Sequence, residues 1–303
     1  VELFYISIKI NPMKLQLLKV SKDQISSFSA RQDTTPNTNN RWHYHPEIEL
    51  VYFKKGQGTQ FIGDSISPFL PGDVVLVGAD TPHYWQFDLS GENVQDGLSA
   101  DVSVIHFNEL FWGETFLKLP ENMIIGNIFE KSKRGISLSK SSGRKIGPLI
   151  EKIVTAEGCR KIILLLEVLL AIGECKESKL MASIGFRNNF QEEEKDRINS
   201  IYNYSINNFK KNISLKEIST VANISPNSFC KFFKSRSRKT YSQFIREIRI
   251  GHACKLLIDD KLAIKEICYE SGFNNFTSFH KHFKMIKGKT PLGYQKSFVR
   301  DSL

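Results

Sequence analysis

No apolar run in this 303-residue sequence is long enough to cross a bilayer. The oiliest stretch, Ile162 to Ile172, is eleven residues long and broken by Glu167, where a spanning helix needs roughly 20. Cysteine is sparse. Cys159, Cys175, Cys230, Cys254 and Cys268 make an odd five with no CxxC spacing, which supports neither a disulfide framework nor a zinc ribbon and points to a reducing compartment. The opening residues VELFYISIKI lack the basic start and small-residue cleavage site of an export leader, so a cytoplasmic protein with no membrane partner is expected. Acidic residues run short in only one part of the chain. Residues 196 to 303 hold 8 Asp and Glu against 20 Lys and Arg, a net of +12, whereas residues 1 to 195 hold 24 against 22, a net of −2. Such asymmetry is expected where one module binds a polyanion and the other does not. Basicity alone does not separate DNA from RNA or membrane.

Apolar residues make up 41% of the chain and aromatics 11%, ample for the cores of about two domains. From residue 14 to 116, short β-branched and aromatic runs alternate with Gly, Pro and Asp (IELVYFKKGQG, VVLVGADTPHYW, VSVIHF), the spacing of an antiparallel barrel or sandwich. Residues 117 to 187 turn helical, most clearly in GPLIEKIVTAE and CRKIILLLEVLLAIGE. Helices this oily are expected to pack against a partner subunit or the neighbouring domain, making this a helical dimerisation segment. A polar linker is expected over 188 to 197, and an all-α domain from 198 to 303. The fold class is therefore multi-domain α+β.

The last third repeats itself. Leu215-Lys216-Glu217-Ile218 returns as Ile264-Lys265-Glu266-Ile267, and Phe229, Lys231, Phe233, Lys234 and Thr240 return as Phe279, Lys281, Phe283, Lys284 and Thr290. One supersecondary unit used twice, each copy short, reads as two helix-turn-helix units. In the first, Ser225 and Pro226 suit the start of a helix running to about Arg236. In the second, Gly272 suits a helix stop and Asn275 caps a helix from Phe276 to about Lys287. Ser242 to Asp259, amphipathic through Ile245, Ile248, Ala253, Leu256 and Leu257, reads as a rigid connector. Rigidity matters because two recognition helices enter successive major grooves only when held about 34 Å apart.

Residues 198 to 298 resemble the DNA-binding domain of the AraC-type transcriptional regulators. The signature of that family's second unit stands here as Gly272, Phe273, Ser278, Phe279, Lys281, Phe283, Lys284, Gly288, Thr290, Pro291 and Tyr294. Lys281 departs from the usual Arg, keeping the charge but losing the bidentate fork. The resemblance implies binding to double-stranded DNA. Asn227, Ser228, Lys231, Thr277, Ser278 and Lys281 are the expected base contacts, and Lys234, Arg236, Arg238, Lys239, Lys284, Lys287 and Lys289 the expected phosphate contacts.

In the first domain, His43, His45, Glu49 and Gly56 fit H-x-H-x3-E-x6-G, and Pro71-Gly72-Asp73 leads on to Pro82-His83. This resembles the two motifs of the cupin superfamily. Asn37 stands where the first motif opens on glycine, and Gly78 and Asp80 where the second has Pro and Gly. His43, His45 and Glu49 share strand parity and so project to one face. With His83 they form a candidate site for a divalent transition metal. The same four and Trp85 form a candidate effector pocket.

Together these expectations describe a one-component switch: a cupin-like barrel that binds a small-molecule effector, a sugar being one candidate, joined to a two-unit DNA reader. A homodimer is expected, with transcriptional activation and RNA polymerase contact as further expectations and no catalysis. The alternative is a metal-dependent cupin enzyme fused to a DNA-binding domain.

Overall fold

The structure, a computed structural model, describes residues 16–17, 27–34, 42–87, 100–183 and 192–299. The expected start of the barrel, Asn37, residues 188–191 of the expected linker and the last four residues lie outside these. The first domain contains β1 (Gln16–Leu17), β2 (Ser29–Asp33), β3 (His43–Tyr44), β4 (Ile48–Lys55), β5 (Gly58–Ile62), β6 (Ser65–Phe69), β7 (Val74–Val77), β8 (His83–Phe87) and β9 (Asp101–Phe107). A five-stranded sheet runs β1-β3-β8-β5-β6. A six-stranded sheet runs β7-β4-β9-β2 and is extended beyond β7 by β10 (Ile136–Leu138) and β11 (Ser178–Leu180).

Strand alternation sorts the side chains onto three layers. Val51, Phe53, Val75, Val77, Val102 and Val104 meet Ile62, Phe69 and Trp85 between the sheets. Ile48, Leu50, Val74, Leu76, Ile105 and Phe107 face the other way. They share a core with α1 (Met123–Ser132), α2 (Lys140–Thr155) and α3 (Gly158–Glu174). A strand apolar on both faces is one covered on both sides. Helix α2 lies so close that a Cβ on Gly147 would stand 2.4 Å from the Tyr52 ring.

Residues 117–187 are thus not helical throughout, because β10 and β11 complete the larger sheet. Three-residue strands are too short to show a period, which is why helical patterning on either side masked them. The oily face of α2 is taken up by that sheet and α3 packs on α1 and α2, while α3 leaves Ile163 and Leu170 42% and 44% exposed.

The last third holds α4 (Glu192–Asn208), α5 (Leu215–Val221), α6 (Pro226–Ser237), α7 (Tyr241–Asp259), α8 (Ile264–Glu270), α9 (Phe276–Lys287) and α10 (Pro291–Val299). Residues 192–197, expected as linker, are the first turns of α4. Capping follows the repeat. Ser214 and Glu217 close a capping box on α5, Ser225 caps α6, and Asn275 caps α9. Left-handed backbone recurs at matched positions as well: Asn223 and Gly272 have φ +52° and +80°, and Arg238 and Gly288 have φ +58° and +70°. The connector α7 serves both units. Phe244, Ile245 and Ile248 lie in the first core, and Ile250, Ala253, Cys254 and Leu257 in the second with Ile267, Phe273, Phe279 and Phe283.

The first unit is seated on the outer face of the five-stranded sheet. Trp42, Phe61 and Tyr84 join Ile198, Ile201, Tyr202, Phe244 and Ile248 in one buried cluster. Trp42 meets Tyr202 edge to face, with centroids 4.9 Å apart.

Candidate metal centre and nucleic-acid interface

Between the sheets the cupin-like motif residues converge. His43 and His83 are register partners across β3 and β8, and His45 follows β3. Glu49 reaches in from β4 on the opposite sheet. The candidate ligand atoms of His43, His45, Glu49 and His83 all lie within 4.8 Å of one another, and none of the four residues is more than 1% exposed. All four expected ligands are therefore brought together. Trp85 lies beside them, its ring centroid 4.9 Å from that of His83.

A fifth residue joins them that sequence patterning missed. His106 on β9 is the register partner of Glu49 and is buried, with Nε2 3.2 Å from Glu49 Oε2. The signal was present in VSVIHF, where His106 shares parity with the inward Val102 and Val104. Only the β4–β9 register shows which residue it faces.

Glu49 Oε2 is crowded by nitrogens. His83 Nε2 is 2.8 Å away and His45 Nε2 2.9 Å. Each of these rings has its other nitrogen on a backbone carbonyl, His83 Nδ1 on Thr81 O at 2.7 Å and His45 Nδ1 on Glu47 O at 3.0 Å. A carbonyl only accepts, so Nδ1 carries a proton in both; Nε2, facing a carboxylate that also only accepts, donates to Glu49 when protonated and is the nitrogen left to bind a cation when the ring is neutral. Burial would raise the Glu49 pKa, but the imidazoles of His106, His83 and His45 that face it outweigh burial and hold this carboxyl well below its ordinary range. Burial pulls His45 down, yet Glu49 and Glu47 leave it raised; for His83 burial wins and the pKa is lowered. Glu49 Oε1, also buried, has no hydrogen-bond partner among the described residues.

This donor set fits a divalent cation. Oriented imidazole Nε2 atoms and a buried carboxylate are the ligands that transition metals prefer, and carbonyl partners on Nδ1 are the outer contacts that usually orient them. The two departures in the second motif also make sense. Asp80 takes the left-handed backbone (φ +55°) where the cupin pattern has glycine. Gly78 packs where a Cβ would stand 2.6 Å from the Lys133 amide nitrogen.

Two more polar groups face the barrel interior. Gln60 and Trp85 are register partners on β5 and β8, 2% and 3% exposed. Gln60 Oε1 and Trp85 Nε1 both lack hydrogen-bond partners among the described residues. Gln60 was not legible as a site residue because its neighbours read as an ordinary strand.

On the basic third, Phe229 and Phe233 anchor α6 and Phe279 and Phe283 anchor α9. Asn227, Ser228, Lys231, Lys234 and Arg238 are exposed on the first unit, and Thr277, Lys281, Lys284 and Lys289 on the second; Ser278 and Lys287 are half-buried. Among the expected phosphate contacts, Lys239 and Arg236 are engaged within the chain. Lys239 Nζ donates to Asp64 O of the barrel and to Glu247 Oε2, each at 2.5 Å, and Arg236 pairs with Glu194.

The fold and these two regions define a class: a ligand-binding β-domain carrying a pair of helix-turn-helix units. Family models agree, an AraC-like ligand binding domain matching residues 27–95 and a helix-turn-helix domain residues 218–297. The uncharacterized HTH-type transcriptional regulator YdeC of Bacillus subtilis is 21% identical over 84% of this chain and 85% of its own length. The HTH-type transcriptional activator RhaS of Mannheimia succiniciproducens is 25% identical over 80% and 84%. Among solved structures, apo ToxT from Vibrio cholerae aligns over 90% of this chain and 98% of its own at 14% identity, with a TM-score of 0.34. The chain is an AraC-family DNA-binding transcriptional regulator with an N-terminal ligand-binding domain. No helix among the described residues is long and apolar enough to cross a membrane.

Proposed function

We propose that the barrel is a sensor whose occupancy sets how the helix-turn-helix units meet their operator. One observation carries this reading: β3 and β8 line the histidine cluster with one face and seat the DNA-binding domain with the other. His43 and His83 point inward, while Trp42 and Tyr84 pack against Tyr202 and its neighbours on the opposite side. A ligand that binds the two arrangements of these strands unequally shifts the population of DNA-competent molecules.

The effector is a small hydroxylated molecule, for which a sugar is one example. Trp85 Nε1 offers it a donor and Gln60 Oε1 an acceptor, and a hydroxyl satisfies both. His43, His45, Glu49 and His83 hold a divalent transition metal beside it. When bound, such an ion supplies a Lewis-acidic anchor for effector oxygens. The role is binding rather than turnover, in keeping with relatives that are regulators.

At the DNA, Asn227, Ser228, Lys231, Thr277, Ser278 and Lys281 read bases. Lys234, Arg238, Lys284, Lys287 and Lys289 hold phosphates, and Lys239 and Arg236 join them once released from their intrachain partners. The working form is a cytoplasmic homodimer that activates transcription through RNA polymerase, with the exposed Ile163 and Leu170 of α3 at the subunit contact.

Selection of bound genomic fragments at fixed salt identifies the operator, and the full chain is then titrated against it with and without metal and candidate effectors. The operator should be preferred over unrelated duplex by about 10³-fold or more, and its affinity should change on barrel loading. Equal affinity for all duplexes, or no response to any barrel ligand, overturns the reading.

A further inference from the structure

Behind Glu49 stands a string of polar groups running out to the surface. Arg31 on β2 places Nη1 3.0 Å from His106 Nδ1, and its Nε bonds both oxygens of Asp33 at 3.0 and 3.1 Å. An arginine side chain has donors only and does not lose its proton in a protein. The nitrogen it faces must therefore accept, so His106 Nδ1 is bare and its proton sits on Nε2. That nitrogen lies 3.2 Å from Glu49 Oε2, within ion-pair reach but off hydrogen-bond alignment. His106 is thus the opposite tautomer to His45 and His83, whose Nδ1 protons go to backbone carbonyls. In their neutral forms His45 and His83 therefore leave Nε2 free to ligate, whereas neutral His106 carries its proton there.

We infer that His106 is a positioning residue and not a fifth ligand: Arg31 locks its tautomer so that the positive Nε2–H edge stands against Glu49 and steadies it electrostatically for the site that His43, His45, Glu49 and His83 form. The ligation half of this inference rests on the metal reading above; the tautomer half does not. Asp33 holds the Arg31 fork in turn, so the order Asp33, Arg31, His106, Glu49 fixes a buried carboxylate from a half-buried surface pair. Partners of this kind commonly set metal affinity by about 10- to 100-fold without entering the coordination shell.

The test uses the full chain in two arms. In metal-free protein, imidazole ¹⁵N NMR, assigned by single-histidine variants, should show His106 protonated at Nε2 and bare at Nδ1, and Arg31→Met should release that preference. In the second arm, cobalt(II) is titrated into wild type, His106→Phe and His106→Gln. His106→Phe should weaken binding about 10- to 100-fold while the visible spectrum keeps the wild-type ligand set. His106→Gln, whose amide N–H reaches the place of Nε2, should recover most of the loss. A proton on His106 Nδ1, a changed cobalt spectrum in His106→Phe, or equal affinity in all three proteins overturns the inference. If wild type takes up no metal, the metal reading fails and the NMR arm alone decides whether Arg31 and His106 hold Glu49.

Discussion

Asp73 closes the turn before β7, where its Oδ2 accepts from the Leu70 amide at 2.8 Å. Burial raises its pKa from 3.8 to about 6, with the Leu70 hydrogen bond and Lys140 only partly opposing it. The folded state keeps this proton over a pH range in which the unfolded chain has lost it. The stabilising contribution is therefore complete below pH 3.8 and is lost as the pH rises through about 6. Asp73→Asn keeps an acceptor for Leu70 and never ionises. Urea unfolding across pH should find this variant more stable than wild type at pH 7 and above, with the difference vanishing near pH 4; a variant less stable by the same margin at both ends would refute the assignment. Single residues also mark the limit of reading a linear pattern. His43, His45 and Glu49 announce themselves by spacing, but His106 and Gln60 acquire a role only from strand register.

Among the helices, the two units repeat their caps with one gap. Ser214 accepts from the Glu217 amide, and Glu217 returns a contact to the Ser214 amide. At the matching place in the second unit Glu266 accepts from the Ala263 amide at 2.9 Å, but alanine has no side-chain oxygen for the return bond. Ala263→Ser should complete the box and add about 0.5–1 kcal/mol to the stability of the second unit. Chemical denaturation read from that unit checks this, and no gain or a loss would mean that the serine oxygen does not reach the Glu266 amide. Helix boundaries in this region were legible because Ser225, Pro226, Gly272 and Asn275 punctuate the apolar period. Strands β10 and β11 were not legible, since their pairing belongs to the sheet and not to the three residues themselves.

Across the two domains, Trp42, Phe61 and Tyr84 pack against Tyr202 and Phe244 in one buried cluster that joins the barrel to the first unit. Lys239 bonded to Asp64 O and Gln57 bonded to Asp259 at 3.0 Å add polar ties at its edge. Truncating aromatics that sit in such an interface costs about 3–5 kcal/mol of packing for each one fully buried. The double variant Trp42→Ala and Tyr84→Ala should still bind operator DNA, because α6 and α9 keep their own cores. It should, however, lose the affinity difference between ligand-loaded and ligand-free protein. Fluorescence anisotropy on the full chain measures both. A variant with the wild-type ligand response would show that the signal takes another route.

The order of amino acids was enough to specify both domains, the duplicated reader, its capped helices and the four motif residues of the barrel. Each of those rests on local chemistry: a strand parity, an amphipathic period, a cap, or the charge of a segment. Contacts between distant segments came only from the folded chain. They include His106 and its Arg31 partner, the Gln60 and Trp85 pair, the capture of Lys239 by the barrel and the seating of the first unit on β3 and β8. Such contacts depend on sheet register and on which apolar face finds cover, and both are settled by burying surface that neighbouring residues cannot bury for themselves.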